Sequence, residues 1–269
     1  MVYFVATPIG NLGDISLRAL ETLKSADVIF CEDTRHSLKL LNRYEIKKPL
    51  VSCHKFNELS AAEKLADLAA EGKTVAVVTD AGTPVISDPG NLLVRTLRER
   101  GLAYTLVPGA CAFVAALVLS GFPADKFAFL GFLRGKTSEK RAFLKNYADF
   151  DGTLLFYSAP QDVDSDIALL SEAFGNREAC AVREITKVHE SAEYFSLAAG
   201  LAGEKRGEYV LLVQGAPKRE NPLNSLTETE HIRHYVEQGM SEKEALKAAA
   251  RDRGVSKSEL YKFTVKDKR

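Results

Sequence analysis

The feature that most constrains the fold of this chain is the alternation of short β-branched runs and helical patterns over its first 120 residues. Five strand–helix units follow one another, with predicted strands at 2–9, 27–32, 50–54, 74–80 and 104–107 and predicted helices at 16–25, 35–43, 61–70, 91–100 and 110–119. Such a series is typical of a mainly parallel sheet with helices on both faces. Ligands bind to these sheets at the carboxyl ends of the strands, so the loops that follow the strands are the candidate site.

A second α/β series begins after a turn-rich connection at 121–125. Its predicted strands are 127–133, 153–158, 179–185, 191–195 (with a short helix behind it) and 209–214, and its predicted helices are 139–147 and 163–174. The shorter connections permit antiparallel neighbours, so we expect a mixed sheet. The chain is therefore expected to have an N-terminal α/β domain at 1–121 and a second α/β domain at 122–216.

The last segment, 217–269, is predicted to be a linker followed by a small helical tail. The polar stretch 217–225 contains Pro222, as linkers commonly do. Behind it, helical patterns span 228–238, 241–253 and 256–263, and Ser241 with Glu244 forms the sequence signature of a capping box.

Composition excludes several classes of protein. No apolar run approaches the roughly 18 residues of a membrane helix, and the N-terminus lacks a signal-peptide pattern, so we expect a cytoplasmic protein without a membrane partner. The cysteines form no C-x-x-C pair, which argues against a zinc site or a disulfide framework and favours small buried hydrophobic residues; they are Cys31, Cys53, Cys111 and Cys180. The formal net charge is zero, so any contact with nucleic acid depends on local patches.

Three loops rich in small residues follow predicted strands of the first sheet. The segment 6–14 contains two glycines and a proline, and Asp14 or Ser16 is placed to cap the next helix. The segment 79–90 is long, with two glycines, two prolines and two aspartates, and the segment 107–112 places small residues at a helix start. Together the three loops predict a ligand pocket, although each taken alone has the composition of an ordinary turn.

Two basic segments remain open to alternative interpretations. The stretch 131–137 is similar to a phosphate-binding loop but has three residues between its glycines where that motif requires four. Its basic residues form either a solvated face or part of an RNA-binding surface; they are Arg134, Lys136, Lys140 and Arg141. From Lys247 onward eight basic residues stand against three acidic ones, which suits either RNA phosphates or a solvated terminus.

Six motifs, taken in order, resemble the bacterial ribosomal RNA small-subunit methyltransferase I family, a ribose-methylating branch of the tetrapyrrole methylases. They lie at 5–14, 31–35, 79–90, 107–109, 181–190 and 207–210 and extend over nearly the whole chain. The chain departs from the family pattern at 156–162. There the family has a glutamate before the Ser/Ala-Pro pair and His-Arg after it, whereas this chain has Ser158 before Ala159-Pro160 and Gln161-Asp162 after it.

The resemblance implies a homodimer that holds S-adenosylmethionine in a cleft between two α/β domains, without a metal. Carried over by position, the donor-binding residues are Pro8, Asp80, Ala81, Gly82, Thr83, Ile86, Ala110 and Cys111 from the first domain and Tyr157, Glu184 and 207–210, including Glu208, from the second. The resemblance also implies the acceptor, which is a cytidine ribose in the decoding region of the small subunit. The partner is accordingly small-subunit ribosomal RNA or the assembled subunit.

A ribose hydroxyl is a poor nucleophile, so its methylation benefits from a base or a stabilising cation. We take Glu184 as the candidate base, the alternative being a charge that orders the second-domain strand, and Lys187 as a second catalytic candidate. On a continuous strand Glu184 and Lys187 would face opposite sides, so they need not act together. For Arg35 and Lys187, phosphate contact and ordinary ion pairing are both open. We interpret four histidines as structural or surface residues: His36, His54, His231 and His234.

Two other functions stay open on these residues. One is methylation of a corrin or porphyrin precursor, against which the basic tail argues. The other is a ribosome-associated binding protein that keeps the donor pocket without turnover. The sequence does not determine the target nucleotide, the state of the RNA substrate, the group that activates the hydroxyl or the role of the tail.

Overall fold

The computed structural model describes residues 1–217 and 221–264. The chain divides into two compact units, Met1–Ala216 and Pro217–Arg269. The first unit contains two five-stranded sheets, one parallel and one mixed, and the second contains helices. This architecture confirms the predicted fold class, with a parallel α/β sheet, a mixed α/β sheet and a helical tail.

The first sheet is entirely parallel, in the order β3-β2-β4-β1-β5. Its strands are β1 Val2–Val5, β2 Val28–Cys31, β3 Leu50–Ser52, β4 Val75–Val77 and β5 Tyr104–Val107, and the intervening helices are α1 Leu17–Ser25, α2 Thr34–Arg43, α3 Glu58–Ala70 and α4 Asn91–Glu99. All four residues of β2 are buried, as expected for a strand with helices on both faces. Ser16, one of the two predicted caps, accepts the Ala19 N–H at 3.1 Å and begins α1.

The second sheet has the order β6-β7-β10-β8-β9 and is mixed, because only β6 and β7 are parallel. Its strands are β6 Phe127–Phe132, β7 Thr153–Ser158, β8 Glu178–Arg183, β9 Ser191–Ser196 and β10 Tyr209–Val213, and the accompanying helices are α5 Ala112–Ser120, α6 Thr137–Lys145 and α7 Val163–Phe174. Helix α5 precedes the expected boundary at 121, yet Ala116 and Leu117 pack with Leu155 and Val210 of the second sheet. The division at 121/122 stays a prediction.

Two local predictions in the second series were wrong. The short helix expected behind β9 is a turn at 197–199, in which the Gly200 N–H donates to the Ser196 carbonyl and Gly200 adopts a φ of 73°. Strand β8 ends at Arg183 instead of 185, because Glu184 and Thr186 adopt left-handed conformations that leave the sheet.

The described residues of the second unit form three α-helices, α8 Glu228–Glu237, α9 Glu242–Arg253 and α10 Lys257–Thr264, around a core that includes Ile232, Leu246 and Leu260. The predicted capping box is confirmed, since Ser241 and Glu244 each accept the other's backbone N–H. The last five residues of the predicted basic tail, 265–269, lie outside the described part of the chain and include Lys266, Lys268 and Arg269. Within 1–217 and 221–264, no helix has the length and apolar character that crossing a bilayer requires.

Candidate functional site

The three loops rich in small residues meet at the carboxyl edge of the first sheet. Thr7 and Gly82 exchange backbone hydrogen bonds of 2.9 and 3.1 Å, which pairs the loop after β1 with the loop after β4. The Thr83 hydroxyl donates to the Ala110 carbonyl at 3.1 Å and so attaches the loop after β5. Gly82 has a φ of 83°, and a Cβ there would lie 3.3 Å from Ile9 Cγ2, so a side chain would strain this junction.

These loops and the second sheet enclose a cavity of about 480 Å³. Such a volume falls within the range of about 300–1,000 Å³ typical of small-molecule sites. The expected site residues that line it are Asp80, Ala81, Gly82, Thr83, Ile86, Cys111, Tyr157, Glu184, Lys187 and Glu208. Pro8 and Ala110 are not among its lining residues: Pro8 is buried beside the Thr7–Gly82 pairing, and the Ala110 carbonyl serves the Thr83 hydroxyl.

Three carboxylates form the acidic side of the cavity, namely Glu32, Asp80 and Asp88. Burial and the nearby charges of Glu32 and Asp80 raise the pKa of Asp88 to about 7. Burial and the charge of Asp80 also raise the pKa of Glu32. The sequence reasoning did not single out Asp88, although its raised pKa marks it as a candidate functional group.

The segment that carries Asp88 has an unusual backbone. Val85 and Ser87 adopt positive φ values of 77° and 66°, which side-chain-bearing residues rarely do. The Gly90 and Leu92 N–H groups both donate to Glu58 Oε1, at 2.8 and 3.0 Å, and so hold the far end of the loop. Conformations of this kind concentrate at functional sites because the surrounding structure must hold them in place.

Glu184, Lys187 and Glu208 form a hydrogen-bonded cluster on the other side of the cavity. Lys187 Nζ lies 3.0 Å from Glu184 Oε1 and 2.9 Å from Glu208 Oε2, and the Glu208 N–H donates to Glu184 Oε1 at 2.9 Å. Partial burial opposes ionisation of Glu184, but these hydrogen bonds prevail and lower its pKa. The expectation that Glu184 and Lys187 face opposite ways was wrong, because the chain turns after Arg183 and brings both side chains to the cavity.

Two glycines make room for this turn. Gly207 has a φ of 76°, and a Cβ there would lie 2.5 Å from the Glu184 side chain. A Cβ on Gly10, in the loop after β1, would lie 2.6 Å from Lys187 Cγ. The neighbouring Asn11 N–H donates to Thr186 Oγ1 at 3.0 Å, so the loop after β1 packs directly on the turn that carries the catalytic candidates.

Aromatic rings line the side of the cavity formed by the second sheet. The Tyr157 ring centroid lies 5.4 Å from that of Phe132, and the Tyr157 hydroxyl accepts the Phe113 N–H at 3.3 Å. Burial raises the pKa of Tyr157, which therefore stays a neutral phenol. Phe132 lines the cavity and was not identified from the sequence, because an apolar residue at a strand end carries no chemical signature.

Other sequence-predicted residues lie elsewhere. Arg35 is exposed and pairs with Asp33 at 2.8 Å, and neither residue lines the cavity. Lys140 and Arg141 form ion pairs within the protein, with Asp166 and Glu172. Cys31, Cys53 and Cys180 are buried as expected, whereas Cys111 is only partly buried and lines the cavity; all four are free thiols.

The histidines have different environments. His231 is fully buried in the second unit, where its Nδ1 accepts from Arg253 Nε at 3.1 Å. His36 is exposed on α2, and none of His36, His54, His231 and His234 lines the cavity. Within the described residues, no group of three or more His, Cys, Asp or Glu side chains is arranged to hold a metal ion.

The fold is shared with solved methyltransferases. The methyltransferase CobJ superimposes with a TM-score of 0.62 at 21% identity, covering 80% of this chain and 94% of that chain. A uroporphyrin-III C-methyltransferase from Thermus thermophilus, solved in complex with S-adenyl homocysteine, superimposes with a TM-score of 0.57 at 20% identity, covering 79% and 96%. At this identity the likeness establishes the fold alone.

Comparison of sequences establishes the family. A family model described as Tetrapyrrole (Corrin/Porphyrin) Methylases matches residues 1–199. Two bacterial proteins named Ribosomal RNA small subunit methyltransferase I are each 40% identical to the chain. The protein of Halalkalibacterium halodurans aligns over 97% of this chain and 93% of its own length, and that of Bacillus subtilis over 97% and 92%. The chain therefore belongs to the tetrapyrrole methylases and, within them, to the ribosomal RNA small subunit methyltransferase I family.

Proposed function

We propose that this protein transfers a methyl group from S-adenosylmethionine to the ribose 2′-hydroxyl of a cytidine in small-subunit ribosomal RNA. The observation that carries the proposal is the cavity at the carboxyl edge of the parallel sheet, which combines small-residue loops, carboxylates and the Glu184–Lys187 pair in a member of this family. The partner is the RNA or the assembled small subunit, and the location is the cytoplasm, where that substrate is found.

The residues of the cavity suit the methyl donor. S-adenosylmethionine supplies an electrophilic methyl group on a sulfonium cation. Ala81 has a small side chain and Gly82 has none, so a ligand can approach the chain closely there, and Ile86 adds an apolar wall. The carboxylates of Glu32, Asp80 and Asp88 favour a ligand that carries positive charge. We assign donor binding to these six residues together with Thr83, Cys111, Tyr157 and Glu208. Pro8 and Ala110 support them from positions outside the cavity lining.

Glu184 and Lys187 are the proposed catalytic pair. Glu184 Oε1 accepts both the Lys187 ammonium and the Glu208 N–H, which fixes the carboxylate while Oε2 accepts no hydrogen bond from any described residue. We propose that Oε2 receives the proton of the ribose hydroxyl and that Lys187 holds the carboxylate in position. Alignment of the hydroxyl oxygen with the methyl carbon of the donor supplies most of the rest of the rate enhancement, as expected for an in-line displacement.

Asp88 is a second candidate for the proton acceptor. Its raised pKa, about 7, matches a base that works near neutral pH better than the lowered pKa of Glu184 does. The two assignments give different pH profiles. With Asp88 as the base, methyl transfer under saturating conditions rises with pH up to about 7 and then levels off, whereas with Glu184 it is already level above the ordinary range of carboxyl pKa values.

The reaction is tested by transfer of labelled methyl from S-adenosylmethionine to purified small subunits that lack the modification. Nuclease digestion and mass analysis of the nucleosides identify the product. Recovery of 2′-O-methylcytidine is the expected result. Donor binding with no label on the RNA would contradict the proposal, and parallel reactions with a tetrapyrrole precursor would then test the alternative methylase activity.

A homodimer is proposed from the exposed apolar face of α5. Val114 and Val118 are one turn apart, and 48% and 77% of their surfaces are exposed, beside a 41% exposed Leu119. The edge strand β5 also exposes Tyr104 and Leu106. Apolar faces and unpaired strand edges of this kind are typical of surfaces that a partner covers, and a second copy of the chain is the proposed partner.

A further inference from the structure

A second cavity of about 480 Å³ lies next to the one assigned to the donor. Ser87 and Phe132 line both cavities, so the two spaces adjoin along these residues. We call the second cavity the β6–α6 groove; its other lining residues are Leu130, Gly131, Leu133, Arg134, Glu139, Lys140 and Phe143. None of the residues assigned to donor binding lines this groove.

The groove owes its shape to an irregularity in β6. The register between β6 and β7 shifts between Phe129 and Phe132, and Gly131 within this bulge has a φ of 66°. Bulges re-aim side chains and are frequent next to active sites. As a result Phe132 does not join the buried core: 41% of its surface is exposed, and its ring lies between the two cavities against Tyr157.

Two aromatic rings are available in the groove. Besides Phe132, Phe143 on α6 is 38% exposed, and its ring packs against Tyr147 with centroids 5.3 Å apart. Rings that are supported on one side and exposed on the other form stacking surfaces. Stacking of a nucleobase on an aromatic side chain contributes about 1–3 kcal/mol.

The charges around the groove favour an anion at one place. Lys140 is held by the buried Asp166 at 3.1 Å, and Glu139 accepts the Lys136 N–H at 2.8 Å at the start of α6. Arg134 is exposed and forms no ion pair or hydrogen bond with any residue that the structure describes. Its guanidinium is therefore free to bind a phosphate, for which an arginine fork is well suited.

We propose that the β6–α6 groove holds the target nucleotide of the RNA, with its base against Phe143 and Phe132 and a flanking phosphate on Arg134. The ribose then lies at the Ser87–Phe132 boundary and faces the donor cavity. This inference rests on the proposed function, because the adjoining cavity is taken to contain the methyl donor. The base leaves its stack to enter the groove, as the target base does in enzymes that act on a base.

The test uses Phe143→Ala and Arg134→Gln in the full chain, with Phe143→Trp as the variant that retains a stacking surface. Phe56→Ala and Arg98→Gln are matched controls, since both residues are exposed and line neither cavity. Three quantities are measured: donor affinity by calorimetry, equilibrium binding of small subunits that lack the modification, and KM and kcat of methyl transfer.

We expect Phe143→Ala to weaken subunit binding and raise KM about tenfold, the effect of losing one stacked base, while donor affinity is unchanged and Phe143→Trp is close to wild type. Arg134→Gln is expected to weaken binding and to reduce the slope of log affinity against log salt by about one. Groove variants that bind and react like Phe56→Ala and Arg98→Gln would overturn the groove assignment while leaving the reaction intact. A wild-type protein that binds the donor but neither binds nor methylates the subunit would overturn the proposed function and the groove together.

Discussion

Lys187 Nζ lies 3.0 Å from Glu184 Oε1 across a turn in which Glu184 and Thr186 both adopt left-handed backbone conformations. Residues three apart on an extended strand would face opposite sides of the sheet. Here the strand ends at Arg183, and the turn places a carboxylate and an ammonium on the same wall of the cavity. The pair is therefore a product of the turn, and the turn depends on the segments packed against it.

Removing either member of the pair is expected to slow methyl transfer. Glu184→Gln keeps the shape of the side chain but removes the proposed base, and Lys187→Met removes the cation that holds its carboxylate. We expect each to lower kcat by about 10²-fold, within the usual range for general-base catalysis, with little change in donor affinity. Single-turnover kinetics and calorimetry measure the two quantities. Glu193→Gln on β9 is the control, and a kcat equal to that of this control would remove the pair from the mechanism.

Gly10→Ala is expected to disturb the contact between the loop after β1 and the turn at 184–187. The added methyl group would lie 2.6 Å from Lys187 Cγ and 2.7 Å from Thr186 Oγ1, so one of the two segments must shift. Overpacking of this kind costs about 1–3 kcal/mol. We expect a lower Tm by thermal denaturation together with reduced methyl transfer. Gly13→Ala is the control, since its added methyl group meets only the Asn11 side chain within 3.4 Å. Equal Tm values for the two variants would contradict the packing argument.

Asp88→Asn is expected to stabilise the protein in a pH-dependent manner. The pKa of Asp88 rises from an ordinary 3.8 to about 7 in the folded state. Between these values the folded protein retains a proton that the unfolded chain has lost, so this group's contribution to stability declines as pH increases through the window. Asp88→Asn removes this pH-dependent loss of stability, because an asparagine side chain does not ionise. The Tm difference between variant and wild type should therefore grow from pH 4 to pH 7 and then stay constant. A difference that does not change with pH would show that Asp88 ionises freely in the folded state.

Val118→Glu tests the proposed dimer. The side chain is 77% exposed in the isolated chain, so a glutamate there has little effect on the fold of a monomer. In a dimer that covers α5, two buried carboxylates would face each other and dissociate the subunits. Light scattering coupled to size-exclusion chromatography should give a dimeric wild type and a monomeric variant. A monomeric wild type, or a dimer that survives the substitution, would exclude α5 as the interface.

Much of the fold follows from local patterns. Tyr104–Val107, Thr153–Ser158 and Val163–Phe174 were predicted with the bounds that the structure has, because apolar periodicity and flanking turn residues are local properties. The short helix expected behind β9 was wrong because Gly200 closes a turn there. The carboxyl-edge cavity also follows from sequence, since parallel strands bring their following loops to one edge.

The sequence by itself determined the order of strands and helices, the small-residue loops and the family to which the motifs point. Only the tertiary structure decided that Glu184 meets Lys187, that Asp88 is half-buried near other carboxylates and that Phe132 turns toward the cavity. The physical reason is distance along the chain: the Glu184–Lys187 turn needs space left by Gly10 and Gly207, and the pKa of Asp88 depends on Glu32. Local sequence patterns do not indicate such neighbours, because these residues come together only when the loops pack.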